Sequence, residues 1–168
     1  NYGAYTEELI ENFPNSKVYL FEPQEYLYNF LINKYAGQDK IKIFNIALDE
    51  LSKETLLNKS FDGDGNASVY RRKQFDNSTS LQEKISCKRF DEIITDKKID
   101  FVKIDVEGNE MKVLKGMGKM ISNIRVIQIE FGGTWIDSRF FYKDLFYFLK
   151  SKNFSLYRIA PGSLIEIR

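Results

Sequence analysis

The eleven residues from Asp100 to Glu110, Asp-Phe-Val-Lys-Ile-Asp-Val-Glu-Gly-Asn-Glu, constrain the fold more than any other stretch of the chain. An apolar run interrupted only by Lys103 and ended by an acid-rich turn reads as a buried parallel strand that breaks into a loop and then a helix. In open α/β sheets, ligands gather beyond the carboxyl ends of the strands, where loops vary freely and helix N-termini point inward. Asp105 and Glu107 fall at that point, so they are the first candidates for chemistry.

The other segments fit the same plan. A helical pattern over Tyr5, Leu9, Ile10 and Phe13 follows Gly3, and Lys17 to Phe21 reads as a strand ending in Glu22-Pro23. Gln24 to Tyr35 is an amphipathic helix with Tyr28, Leu31, Ile32 and Tyr35 on one face, and Ile41 to Leu48 a third strand. Leu51 to Lys84 loses periodicity and is expected to form an inserted hairpin or irregular excursion, with turns at Asp62-Gly63-Asp64-Gly65 and a polar run at Asn77 to Ser80. Glu83 to Lys88 is a short strand and Arg89 to Thr95 a helical turn or two. Asn109 is placed to cap a helix with Glu110 in its first turn and Met111, Val113 and Leu114 along its apolar stripe. Ile124 to Glu130 is a further buried strand, Arg139 to Leu149 an aromatic-rich helix, and Phe154 to Ile159 with Leu164 to Ile167 a closing antiparallel hairpin. This alternation makes an α/β fold in one domain over residues 1–168.

Composition narrows the chemistry. A formal net charge of +1 offers no electrostatic footprint for nucleic acid. No stretch is long and apolar enough to span a bilayer, the first residues lack a signal pattern, and Cys87 is alone, so a cytoplasmic location is expected. There is no histidine, so His-based metal sites and Ser-His-Asp triads are excluded and acid–base work falls to Asp, Glu, Lys, Tyr or Cys. Asp62 and Asp64 match a cation-holding acid pair, but Asp-Gly turns account for them better, and no metal is expected.

Several residues are candidates for a nucleotide-type site. Glycine before a helix lets the backbone approach a ligand, and the exposed N–H groups there suit a carboxylate. An acid at the end of the next strand, Glu22, suits a ribose diol, whose two hydroxyls donate to one carboxylate. Asp49 or the Ala47-Leu48 backbone could line an adenine pocket. Glu130 ends a strand beside Asp105 and either orients an acceptor or caps the following turn. Trp135 follows the hinge Gly132-Gly133 and either closes over a substrate or packs in the core.

Asn1-Tyr2-Gly3-Ala4-Tyr5-Thr6, Phe21-Glu22-Pro23, the Lys103-Ile-Asp105-Val-Glu107-Gly108 block through Gly116, and Ile129-Glu130 together resemble the FkbM family of S-adenosylmethionine-dependent methyltransferases. The resemblance covers nearly the whole chain, and the Lys-Ile-Asp-Val-Glu-Gly block is its specific part. It implies a class I methyltransferase sheet, Rossmann-like and mostly parallel, with the antiparallel hairpin at its C-terminal end. It also implies methyl transfer to a hydroxyl of a sugar, glycan or other small molecule. Carried onto this chain, the cofactor-binding residues are Asn1, Gly3, Tyr5, Thr6, Glu22, Ala47 and Asp105, and the catalytic acids are Asp105, Glu107 and Glu130. Asp105 acts either as general base or as holder of the cofactor's amino group. The family's first strand and leading glycine should precede Asn1, so this sequence reads as trimmed. Two rivals share the α/β sheet: an NAD(P)-dependent sugar-modifying enzyme, which would want a full Gly-x-Gly-x-x-Gly and a Tyr-x-x-x-Lys pair, and a non-catalytic cofactor-binding domain.

Overall fold

The computed structural model describes residues 2–71 and 81–167. Asn1 and the polar run 77–80 lie outside the described residues. The organising stretch forms β6 (Ile99–Ile104), and it pairs in parallel with β7 (Ile124–Ile129), Lys103 opposite Gln128 and Ile104 opposite Ile129. Because side chains alternate across a strand, one face of β6 carries Ile104 into the main core, with Met111, Leu114, Ile124 and Trp135, while Phe101 and Lys103 project from the other.

Burial of both strands is lighter than the sequence implies. Ile104 is the one fully buried residue of β6 and Ile124 that of β7, where Val126 is 47% exposed. Among the described residues β6 pairs with β7 alone. The apolar run predicted a buried strand; Ile104 alone of β6 is fully covered and the other residues are partly or fully exposed.

On the N-terminal side, α1 (Ala4–Asn12) leads to β1 (Val18–Phe21), then α2 (Glu25–Lys34) and β2 (Ile41–Phe44), which pairs in parallel with β1. The helical faces differ from those expected. α1 buries Thr6 and leaves Tyr5 and Phe13 exposed, and α2 buries Leu27 and Leu31, followed by Tyr35, while Ile32 is exposed. The spacing Leu27, Leu31, Tyr35 keeps one side chain per turn on the packed stripe, and Ile32 lies one residue off it.

The expected strand over residues 41–48 breaks in two. The Asn45 side-chain amide donates to the carbonyls of Glu22 (3.0 Å) and Pro23 (3.1 Å), which bends the chain over the end of β1. The separated piece, β3 (Ala47–Leu48), pairs in parallel with β5 (Leu81–Lys88). That strand forms an antiparallel ladder with β4 (Lys53–Lys59), Lys53 opposite Cys87 and Lys59 opposite Leu81, so the excursion is flanked by a hairpin with its own small core of Leu57, Ile85 and Cys87. The outgoing chain folds back so that Ser68 pairs with Asn58.

Short helices complete the second half: α3 (Phe90–Ile93), α4 (Glu110–Gly116), a 3-10 stretch Gly118–Asn123, α5 (Trp135–Ser138) and α6 (Tyr142–Ser151). The aromatic-rich helix begins later than the sequence suggests because Arg139, at φ 59°, closes α5, and the Phe141 N–H donates to Asp144 to start α6. β8 (Leu156–Ala160) and β9 (Ser163–Ile167) form the anticipated antiparallel hairpin. No described helix is long and apolar enough to cross a membrane.

Candidate functional site

The parallel register brings two of the candidate acids together. With Ile104 opposite Ile129, the next residues, Asp105 and Glu130, leave their strands side by side, and the Glu130 N–H donates to the Ile104 carbonyl (3.0 Å). Lys103 Nζ lies 2.5 Å from Asp105 Oδ2 and 3.9 Å from Glu130 Oε2. The Glu130 carboxyl titrates above the ordinary glutamate range, first because it hydrogen-bonds with Asp105 and second because of that neighbour's charge, while Lys103 opposes the shift. The arrangement is a carboxyl pair steadied by one ammonium group. It is open to solvent, with the Asp105 side chain 36% and that of Glu130 64% exposed.

Tyr5 reaches the same place from α1. Its ring stacks on Phe101 at 6.3 Å, its hydroxyl donates to Gln128 Oε1 (3.1 Å), and Lys103 Nζ stands 5.3 Å from its ring centre. Of the cofactor-side candidates, Tyr5 is thus linked to the acid pair through Lys103, which touches both.

Beyond Asp105 the chain turns sharply. Glu107 has φ 55° and Gly108 φ 106°, both in the region that L side chains avoid. The turn is held by Glu110, which is 2% exposed and accepts from the N–H groups of Val106 (3.2 Å) and Gly108 (3.0 Å). Burial pushes the Glu110 carboxyl above its ordinary range, and the same N–H groups partly offset this. Sequence reasoning put Glu110 at a helix dipole; its position two residues after a turn glycine was the signal that it would clasp the turn. Asn109 likewise does not cap α4 with its side chain. Its amide donates to Leu48 O (3.1 Å) and Asp49 Oδ2 (3.2 Å).

Glycine is needed at 108, since a Cβ there would lie 2.9 Å from the Thr134 carbonyl oxygen. That contact packs the turn against the segment leading into α5. Trp135 is 2% exposed, lies 4.8 Å from the ring of Phe131 and donates to the Glu130 carbonyl (3.3 Å), so of its two expected roles it takes the core one.

A separate group of candidates lies at the end of β1 and the start of α1. Glu22 is 6% exposed, and its Oε1 accepts from the Gln24 N–H (2.9 Å). Gly3, at φ 82°, precedes α1 and its carbonyl accepts from the Tyr35 hydroxyl (3.0 Å), while Thr6 is buried in the first turn. Ala47 packs on the small hairpin core. Asp49 is committed internally to Lys53 (3.1 Å) and Asn109. Asp62 pairs with Lys59 (2.7 Å) and Asp64 accepts from Ser60 and Asn66 N–H groups, as turn residues do, and no metal-holding cluster exists among the described residues. A groove of about 560 Å³ between α4 and α6, lined by Lys115, Lys119, Phe148 and Lys152, contains none of the candidate residues.

The family model described as "Methyltransferase FkbM domain" matches residues 1–156. Among solved structures, the chain is similar to the methyltransferase FkbM from Methylobacillus flagellatus KT, with a TM-score of 0.60 and 18% identity. That match covers 98% of this chain and 40% of the other, so the present chain spans well under half the length of that protein. No curated protein matches significantly.

Proposed function

Since the chain belongs to the FkbM methyltransferase family, we propose that it methylates a hydroxyl oxygen of a sugar, glycan or other small molecule, with S-adenosylmethionine as donor. The observation that carries this reading is the carboxyl pair Asp105 and Glu130, set side by side at the ends of β6 and β7 with Lys103 bound to it.

The residues present suit the donor. The N–H groups at the start of the nine-residue α1, entered through Gly3, fit its carboxylate, and the buried carboxylate of Glu22 fits the paired hydroxyls of its ribose. When bound, the donor supplies a methyl group on a sulfonium, an electrophile that needs no further activation. Asp105 would take the proton that the acceptor hydroxyl gives up as it gains that methyl group. Glu130 hydrogen-bonds with Asp105 and so helps to keep that base in place. Much of the acceleration then comes from holding oxygen and methyl in line. We place the strand pairs in one Rossmann-like sheet, in which a further parallel strand would join edges of β1 and β6 that no strand among the described residues pairs.

Calorimetric titration of the full-length protein with S-adenosylmethionine and, separately, with NAD tests the reading. Binding of the sulfonium donor supports it; binding of NAD alone overturns it.

A further inference from the structure

The excursion between β4 and β5 touches both halves of the site. Gln24 is 4% exposed and spends its whole amide on the loop: Nε2 donates to Asp64 O (2.9 Å), and Oε1 accepts from Gly63 N–H (3.2 Å). Its own backbone N–H donates to Glu22 Oε1, so one residue ties the proposed ribose acid to the excursion. The loop is closed by Asp64, 3% exposed, which accepts from the N–H groups of Ser60 (2.9 Å) and Asn66 (2.9 Å).

A few residues on, Ser68 is 1% exposed and exchanges backbone hydrogen bonds with Asn58 in both directions. Its hydroxyl donates to the Glu107 carbonyl (2.7 Å) and accepts from the Tyr70 N–H (3.1 Å). Glu107 is the non-glycine residue at φ 55°, so Ser68 grips the turn where the backbone is least content to stay. Tyr70 lies against Gly108 and its hydroxyl donates to Asn109 Oδ1 (3.4 Å). Burying polar side chains is costly unless each is hydrogen-bonded, and here both are committed to a distant backbone.

We propose that residues 60–70 form a strap that fixes the donor half of the site relative to the acid-bearing half, with Gln24 and Ser68 as its two positioning residues. The proposal rests on the reading of Glu22 and Asp105 as two halves of one methyl-transfer site. Neither positioning residue touches reactants. Gln24 sets where the Glu22 carboxylate sits against the loop, and Ser68 sets the turn that follows Asp105.

The test is hydrogen exchange of the full-length protein, with and without S-adenosylhomocysteine as probe, combined with calorimetry and thermal melting. Gln24→Met keeps the side-chain volume and removes both hydrogen bonds; Ser68→Ala removes the hydroxyl alone. In the unsubstituted protein the probe is expected to slow exchange at residues 22–25 and at residues 106–111. Gln24→Met should weaken probe binding about 10-fold, the scale of one or two lost hydrogen bonds. Ser68→Ala should leave affinity within about 2-fold, the range of sites that do not share a partner, yet abolish the protection at 106–111. Affinity and protection unchanged in both variants overturn the strap, as does a loss of protection spread evenly over the molecule. If the unsubstituted protein binds no probe, the methyl-transfer reading fails, and the strap is judged on ligand-free exchange. Faster exchange at 106–111 in Gln24→Met, with β8 and β9 unaffected, sustains it; unchanged exchange there ends it.

Discussion

Asp105 and Glu110 stand five positions apart on either side of one turn, and they are treated in opposite ways. Asp105 is at a strand end, partly open to water, with a lysine and a second carboxyl beside it. Glu110 is at a helix start, 2% exposed, and its partners are backbone N–H groups. An acid beside exposed, ionisable neighbours can take up and release protons. One clasped by backbone groups holds shape, and moving its charge disturbs the fold. On the proposed reading, the same residue chemistry serves reaction on one side of the turn and architecture on the other.

Substitutions can break that division. Asp105→Asn should lower turnover by about 100-fold or more while S-adenosylmethionine affinity changes little, as expected for loss of a general base. A parallel loss of affinity would instead make Asp105 a holder of the donor's amino group. Glu110→Ala should lower stability by about 2 to 3 kcal/mol, because it leaves buried N–H groups without an acceptor; denaturant unfolding measures it, and an unchanged midpoint would dissolve the contrast.

Glu22 sharpens the comparison, since it is buried like Glu110 yet assigned to a ligand. Glu22→Ala should weaken S-adenosylmethionine binding by roughly 1.5 to 3 kcal/mol with the fold intact, the scale of a hydrogen bond to a charged group. A stability loss without an affinity loss would move Glu22 into the architectural class.

The smallest effect concerns pH. Glu110 has a raised carboxyl pKa in the folded protein, chiefly through burial, so the folded state holds its proton more tightly than the unfolded chain does. The stabilisation from that proton is complete below the ordinary value of 4.5 and is lost as pH rises through the folded value. The melting temperature of the native protein should therefore fall relative to Glu110→Gln as pH is raised from about 4 towards neutrality, since the amide cannot ionise. Parallel melting curves across that range would place the charge of Glu110 outside the stability balance.

Periodicity read the organising strand correctly, and the acids at 105 and 130 could be paired before any coordinates because adjacent parallel strands end together. The closing hairpin around Pro161-Gly162 was equally legible, its turn residues being local. Faces and contacts were less so. The break at Asn45 depends on where Glu22 and Pro23 end, and the Asn109 side chain is turned from its helix by bonds to Leu48 and Asp49, about sixty positions away in the chain. Ser68 carried no sequence signal at all, since its partner Glu107 is 39 positions away.

Local order decided the alternation of strands and helices, the places where acids end strands and the lack of any histidine to share their work. Tertiary structure alone decided which acids meet. Backbone conformation and side-chain period act within a few residues and are written in the chain, whereas burial, left-handed turns and distant hydrogen bonds exist only once separate segments exclude water together.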